Sequence, residues 1–96
     1  MNKNDFPSAG KALNQQTNAS GATYNTITAA ACIFARVHNP NSVTIDVRRV
    51  GDSTSIVTVP ALGSKTFYGI GNTNELEFRR TDVSNTQVSI QVEAYS

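Results

Sequence analysis

Residues 87–95 (QVSIQVEAY) alternate strictly: Val88, Ile90, Val92 and Ala94 fall on one side, Gln87, Ser89, Gln91, Glu93 and Tyr95 on the other. A period of two marks a strand with one buried face. Residues 43–50 (VTIDVRRV) repeat the pattern, with Val43, Ile45 and Val47 inward and Thr44, Asp46 and Arg48 outward. Shorter runs follow it too. Residues 30–37 (AACIFARV) place Ile33, Ala35 and Val37 together, and residues 75–80 (ELEFRR) do the same for Leu76 and Phe78. Residues 56–59 and 65–70 complete the set. Between the runs stand turn formers: His38-Asn39-Pro40-Asn41-Ser42, Gly51-Asp52-Ser53, Pro60 with Gly63, Gly71-Asn72, and the polar stretch 81–86. Proline cannot continue a central strand, and Gly, Asn, Asp and Ser favour turns. Helical spacing fits nowhere comparably. The pattern predicts an all-β protein, an antiparallel β-sandwich of jelly-roll-like type.

The chain changes character near residue 29. Residues 1–28 hold five large apolar side chains (Met1, Phe6, Leu13, Tyr24, Ile27), and Asn, Gln, Ser, Thr and Gly fill 15 of the 28 positions. Residues 29–96 carry 21 Val, Ile, Leu, Phe or Tyr. This division predicts an extended N-terminal arm over 1–28 and a sandwich over 29–96. Ordering such an arm costs roughly 1–2 kcal/mol per residue, more than its few apolar groups offset, so a partner is expected to hold it. Phe6, Leu13 and Tyr24 are the expected anchors.

Composition narrows the classes of function. Charged residues are 16% of the chain and net charge is +1, which gives no general attraction to nucleic acid or to an anionic membrane. No apolar run is long enough to span a bilayer, and the first residues lack the apolar core of a signal peptide, so use without export is expected. The single cysteine, Cys32, forms no intrachain disulfide and reads as a small core hydrophobe.

Catalysis needs a positioned partner set. The single histidine, His38, sits in a turn sequence, and no GxSxG elbow accompanies it. The glycine patterns at 8–11 and 69–72 lack phosphate-loop spacing and read as turns. No enzyme activity, cofactor or metal is expected. The loop acids Asp52 and Asp82, with backbone carbonyls, are the groups left open for calcium.

The arginine pairs Arg48-Arg49 and Arg79-Arg80 each send one side chain outward and the other toward the core or its rim. Local pairing with Asp46, Glu75 or Glu77 competes with a role in salt bridges between subunits. Arg48, Arg79 and Arg80 therefore join Phe6, Leu13 and Tyr24 as candidate assembly residues.

The segments IFARVHNPNSVTIDVRRVG (33–51), IVTVPALGSKTFYGI (56–70) and QVSIQVEAYS (87–96) together resemble small β-sandwich proteins of tailed-phage virions, the head decoration or cement proteins. The resemblance implies a non-enzymatic virion subunit, assembled in the host cytoplasm, self-associating as a homotrimer on a major capsid protein or another virion protein. A tail, neck or fibre component is the related alternative. A carbohydrate-binding or adhesin module is the alternative of another class, but there is no Trp, and Tyr24, Tyr68 and Tyr95 are scattered along the sequence.

Overall fold

The computed structural model describes residues 11–96. Within these residues eight strands form two four-stranded antiparallel sheets. They are β1 (Lys11–Gln16), β2 (Asn25–Thr26), β3 (Phe34–His38), β4 (Ile45–Arg49), β5 (Val57–Val59), β6 (Ser64–Tyr68), β7 (Leu76–Arg80) and β8 (Ser89–Tyr95). The first sheet runs β1-β8-β3-β6 and the second β2-β7-β4-β5. The pairings nest: β1 with β8, β2 with β7, β3 with β6 and β4 with β5, closed by β8 on β3 and β7 on β4. A ribbon folded once at the β4–β5 turn and then rolled gives this order, which is the jelly roll. Apart from one 3-10 turn at Thr73–Glu75, the described residues hold no helix, and none is long and apolar enough to cross a membrane.

The alternation read from the sequence builds the core. Ala35, Val37, Ile90 and Val92 of the first sheet face Ile45, Val47, Val59 and Phe78 of the second, all fully buried. Central strands are flanked on both sides, and their mid-strand residues Ala35, Val37, Ile45, Val47, Phe78, Ile90 and Val92 are buried completely. Edge residues Leu13 and Phe67 are only partly covered. Asn39, completely buried, knots the β3–β4 and β5–β6 turns together. Its Nδ2 donates to the carbonyls of Val43 at 2.7 Å and Pro60 at 3.2 Å, and its Oδ1 accepts from the Asn41 backbone at 3.1 Å. Burying that amide is tolerable because its hydrogen-bonding capacity is used.

Two expectations need correction. Ile33 does not join Ala35 and Val37; it is 66% exposed. The chain bends at Ile33 before β3 begins, which breaks the alternation and gives the buried place to Cys32. The larger correction concerns the arm, because from Lys11 onward that segment is sandwich. Strand β1 pairs along its full length with β8, from Lys11 opposite Ala94 to Gln16 opposite Ser89. Strand β2 pairs with β7, Ile27 enters the core, and Thr17 is locked to Val88 by backbone and hydroxyl bonds of 2.9 and 3.1 Å. A count of apolar side chains undervalues such a segment. At a sheet edge, backbone groups that would otherwise stay unpaired supply the attachment, and Asn14 and Gln16 simply face water. Phe6 lies outside the described residues.

The placement of residue 27 discriminates the two architectures. Ile27→Ala should cost about 2–5 kcal/mol, as for a buried core residue, and not the ~0.5 kcal/mol or less expected of an exposed arm position. The urea midpoint of the variant measures which applies.

Candidate functional site

Phe34, Tyr68 and Tyr95 lie far apart in sequence, on β3, β6 and β8. Each is adjacent to a residue that points into the sandwich (Ala35, Phe67 and Ala94), so alternation turns all three outward. The register then sets them side by side, with Tyr95 opposite Phe34 and Phe34 opposite Tyr68. The Phe34 and Tyr95 rings stack with centroids 4.9 Å apart and planes 16° from parallel. Tyr68 tilts against Phe34 at 5.6 Å and is 73% exposed.

The next row of the same outer face is polar. The Tyr95 hydroxyl donates to Glu93 Oε2 at 2.9 Å, Arg36 Nη1 meets Glu93 Oε1 at 3.4 Å, and Arg36 Nη2 donates to Ser64 Oγ at 3.0 Å. This chain of bonds crosses β8, β3 and β6. The hydrogen bond to Glu93 raises the Tyr95 phenol above its ordinary value; burial and the Glu93 charge add to the rise. One row further lie Asn14, Gln91, His38 and Ser64, opposite one another in that order.

Tyr68 also walls a pocket. Where β5 and β6 leave the sandwich open, a cavity of about 230 Å³ lies over Val47, Val57, Phe67 and Leu76, with Arg49, Asp52, Ser55 and Tyr68 at its mouth. Its opening follows from the topology, since β5 and β6 are both edge strands and β5 has three residues. Arg49 stands in the inward register of β4 at this open end. Its Nη2 reaches across to the Gly69 carbonyl at 2.8 Å, and its Nη1 lies 3.4 Å from Glu75. Gly69 has φ +76°, a left-handed conformation that costs glycine little, and this turns its carbonyl region toward Arg49. Asp52 accepts from the Thr54 hydroxyl at 2.7 Å and amide at 2.8 Å, which holds its carboxyl below the usual range.

The candidate assembly residues are engaged within the chain. Leu13 packs inward from β1 against the core. The Tyr24 ring lies between the guanidiniums of Arg48 and Arg79, at 3.7 and 4.4 Å, on the outer face of the second sheet. Arg48 Nε binds Glu77 at 2.6 Å, and Arg79 Nη1 donates to the Ala22 carbonyl at 2.8 Å. Arg80 points inward. Its side chain, 10% exposed, binds Asp82 at 2.7 Å and the Thr86 carbonyl at 2.9 Å. Local pairing thus uses Glu75 and Glu77, as one reading of the sequence anticipated. Asp46 instead accepts from the hydroxyls of Thr58 and Thr81.

Catalytic partners do not converge on His38 or Cys32. Ser64, opposite His38, has its oxygen bonded to Arg36, while His38 Nδ1 is shielded and has no hydrogen-bond partner. Cys32 is buried, and desolvation followed by the Glu75 charge pushes its thiol pKa up, against thiolate formation. Asp52 and Asp82 stand in turns at opposite ends of the second sheet, so they do not share a calcium. Among the described residues no three His, Cys, Asp or Glu side chains gather as a metal would require.

No protein-family model and no curated protein sequence matches this chain. Among solved structures, one described as an ethanolamine utilization protein Q from Salmonella typhimurium is similar at TM-score 0.49 and 15% identity, over 92% of this chain. The chain spans 58% of that protein's length. The likeness carries nothing about activity. The virion expectation is corrected here, for head decoration and for tail, neck or fibre alike. The N-terminal arm on which the expectation leaned is sheet from Lys11 onward, paired with β8.

The acids in the turns set an acid limit. The Arg80 bond holds the Asp82 carboxyl low, with the Ser84 amide adding to it. A folded pKa below the unfolded value of about 3.9 contributes stability above that value and loses it as pH falls through the folded pKa. Stability should therefore decline below about pH 4. Asp82→Asn should lower the urea midpoint at pH 7 and show a shallower acid decline than the parent, read as urea midpoint against pH.

Proposed function

We propose that this chain is a non-enzymatic recognition module that binds its ligand at the corner where the pocket meets the aromatic row. The observation that carries the reading is the position of Tyr68, which ends the row on the outer face of the first sheet and walls the pocket between the sheets. An apolar floor with a few converging polar groups is the usual make-up of a small-ligand site. Here Val47, Val57 and Phe67 supply the floor, and Arg49 and Asp52 supply a fixed donor and a fixed acceptor at the mouth. Both polar groups are held by bonds to their own chain, so little ordering cost falls on binding. The engaged Ser64, the unpartnered His38 nitrogen and the protonated Cys32 support a role without catalysis. The alternative of assembly through the arginines draws less support, since their head groups already bind acids or carbonyls of the same chain.

A ligand of this corner stabilises the fold by mass action, about 2.7 kcal/mol at one hundred times its Kd. For a domain of this size that is a rise of roughly 10 °C or more in Tm. A thermal-shift screen of small molecules and oligosaccharides should give such hits, and Tyr68→Ala should abolish the shift while leaving the unliganded Tm within a few degrees. Hits that stabilise Tyr68→Ala as strongly as the parent would place the site elsewhere.

A further inference from the structure

We infer that the ligand is a neutral oligosaccharide, stacked on Tyr68 and running across the outer face of the first sheet toward Asn14. This rests on the Tyr68 corner being the binding site and adds its chemistry. Three strand spacings of about 4.8 Å and three outward rows give a flat area of roughly 14 by 14 Å. Its charges cancel: Arg36 and Glu93 face each other at 3.4 Å, and the other exposed groups are amides and hydroxyls of Asn14, Gln91 and Thr66. An anionic polymer finds no surplus cation here, and an apolar protein surface finds little beyond the aromatic row to cover.

A sugar ring meets this surface on both of its counts. Its C–H face is apolar and flat enough to lie on an exposed aromatic ring. Its hydroxyls each donate and accept, matching a surface on which amides and hydroxyls offer both, Arg36 donates and Glu93 accepts. The order of the groups matters as well. Phe34 and Tyr95 close on each other and leave Tyr68, at the sheet edge, as the ring with a free face. The Tyr95–Glu93–Arg36–Ser64 chain fixes the polar groups before binding, so that selective hydrogen bonds form without immobilising long side chains.

Affinity electrophoresis of the full chain tests this, through gels containing a neutral β-glucan, xylan or galactomannan, with heparin and polygalacturonate as anionic arms. The expected result is retardation by at least one neutral polysaccharide. Kd should weaken at least tenfold in Tyr68→Ala and about threefold or more in Gln91→Ala. Thr26→Ala, exposed on the second sheet, should bind as the parent does. Circular dichroism and the urea midpoint establish that Tyr68→Ala is folded, and Tyr68→Phe should retain most binding. Retardation by the anionic polymers alone, or by none, overturns the carbohydrate assignment. If Tyr68→Ala still abolishes the thermal shift of some other ligand, the recognition reading survives that loss. Neutral-glycan binding unchanged in Tyr68→Ala overturns both.

Discussion

The last strand lies between the first and the third, and the rest of the molecule depends on that placement. β8 hydrogen-bonds to β1 on one side and β3 on the other, so residues 53 to 83 positions apart in sequence become neighbours. Closing so long a loop is an entropic cost met only when the full ladder and the core beneath it form together. Ile90 and Val92 are buried completely because strands cover them on both flanks. The nested pairing also fixes where the sandwich stays open. The turn of the ribbon leaves β5 and β6 as outer edges, and the pocket sits between them. On the opposite flank β1 and β2 are the edges, and the polar segment once read as an arm closes that side.

Charge is handled locally throughout. Each of the five arginines binds an acid or a carbonyl of its own chain, and the two most buried carboxylates, Asp46 and Glu77, accept from Thr58, Thr81 and Arg48. Exposed pairs such as Arg36–Glu93 contribute little to stability. Their value lies in position, since they hold polar groups at set points on a face that alternation has already turned to solvent. The Tyr24 ring between Arg48 and Arg79 does the same for the second sheet, where it joins the segment after β1 to two central strands.

Much of the fold was legible because it rests on a period of two. The strands from β3 to β8, the inward residues Ile45, Val47, Leu76, Phe78, Ile90 and Val92, and the sandwich class all follow from alternation and turn chemistry. Strand β1 was not legible. KALNQQ carries one large apolar side chain, and its attachment is backbone hydrogen bonding to β8, which side-chain composition does not register. Ile33 was misplaced for a related reason: a bend displaces the period by one, and a one-residue slip exchanges the faces. The site was hidden more deeply. Phe34 carries no signal of its own in the sequence, and Tyr68 and Tyr95 are scattered along it, because their adjacency is a property of strand order. Given the jelly-roll pairing of β3 with β6 and β8, the outward phase of each aromatic would have brought them together.

That strand order, with the aromatic corner it creates, is the claim on which the functional reading stands. Nuclear Overhauser contacts in the full chain test it directly. The expected result is ring-to-ring contacts of Phe34 with both Tyr95 and Tyr68, accompanied by cross-strand contacts of Leu13 with Val92. Contacts of Tyr95 with a strand other than β3, or residues 11–16 without any contact to β8, would contradict it.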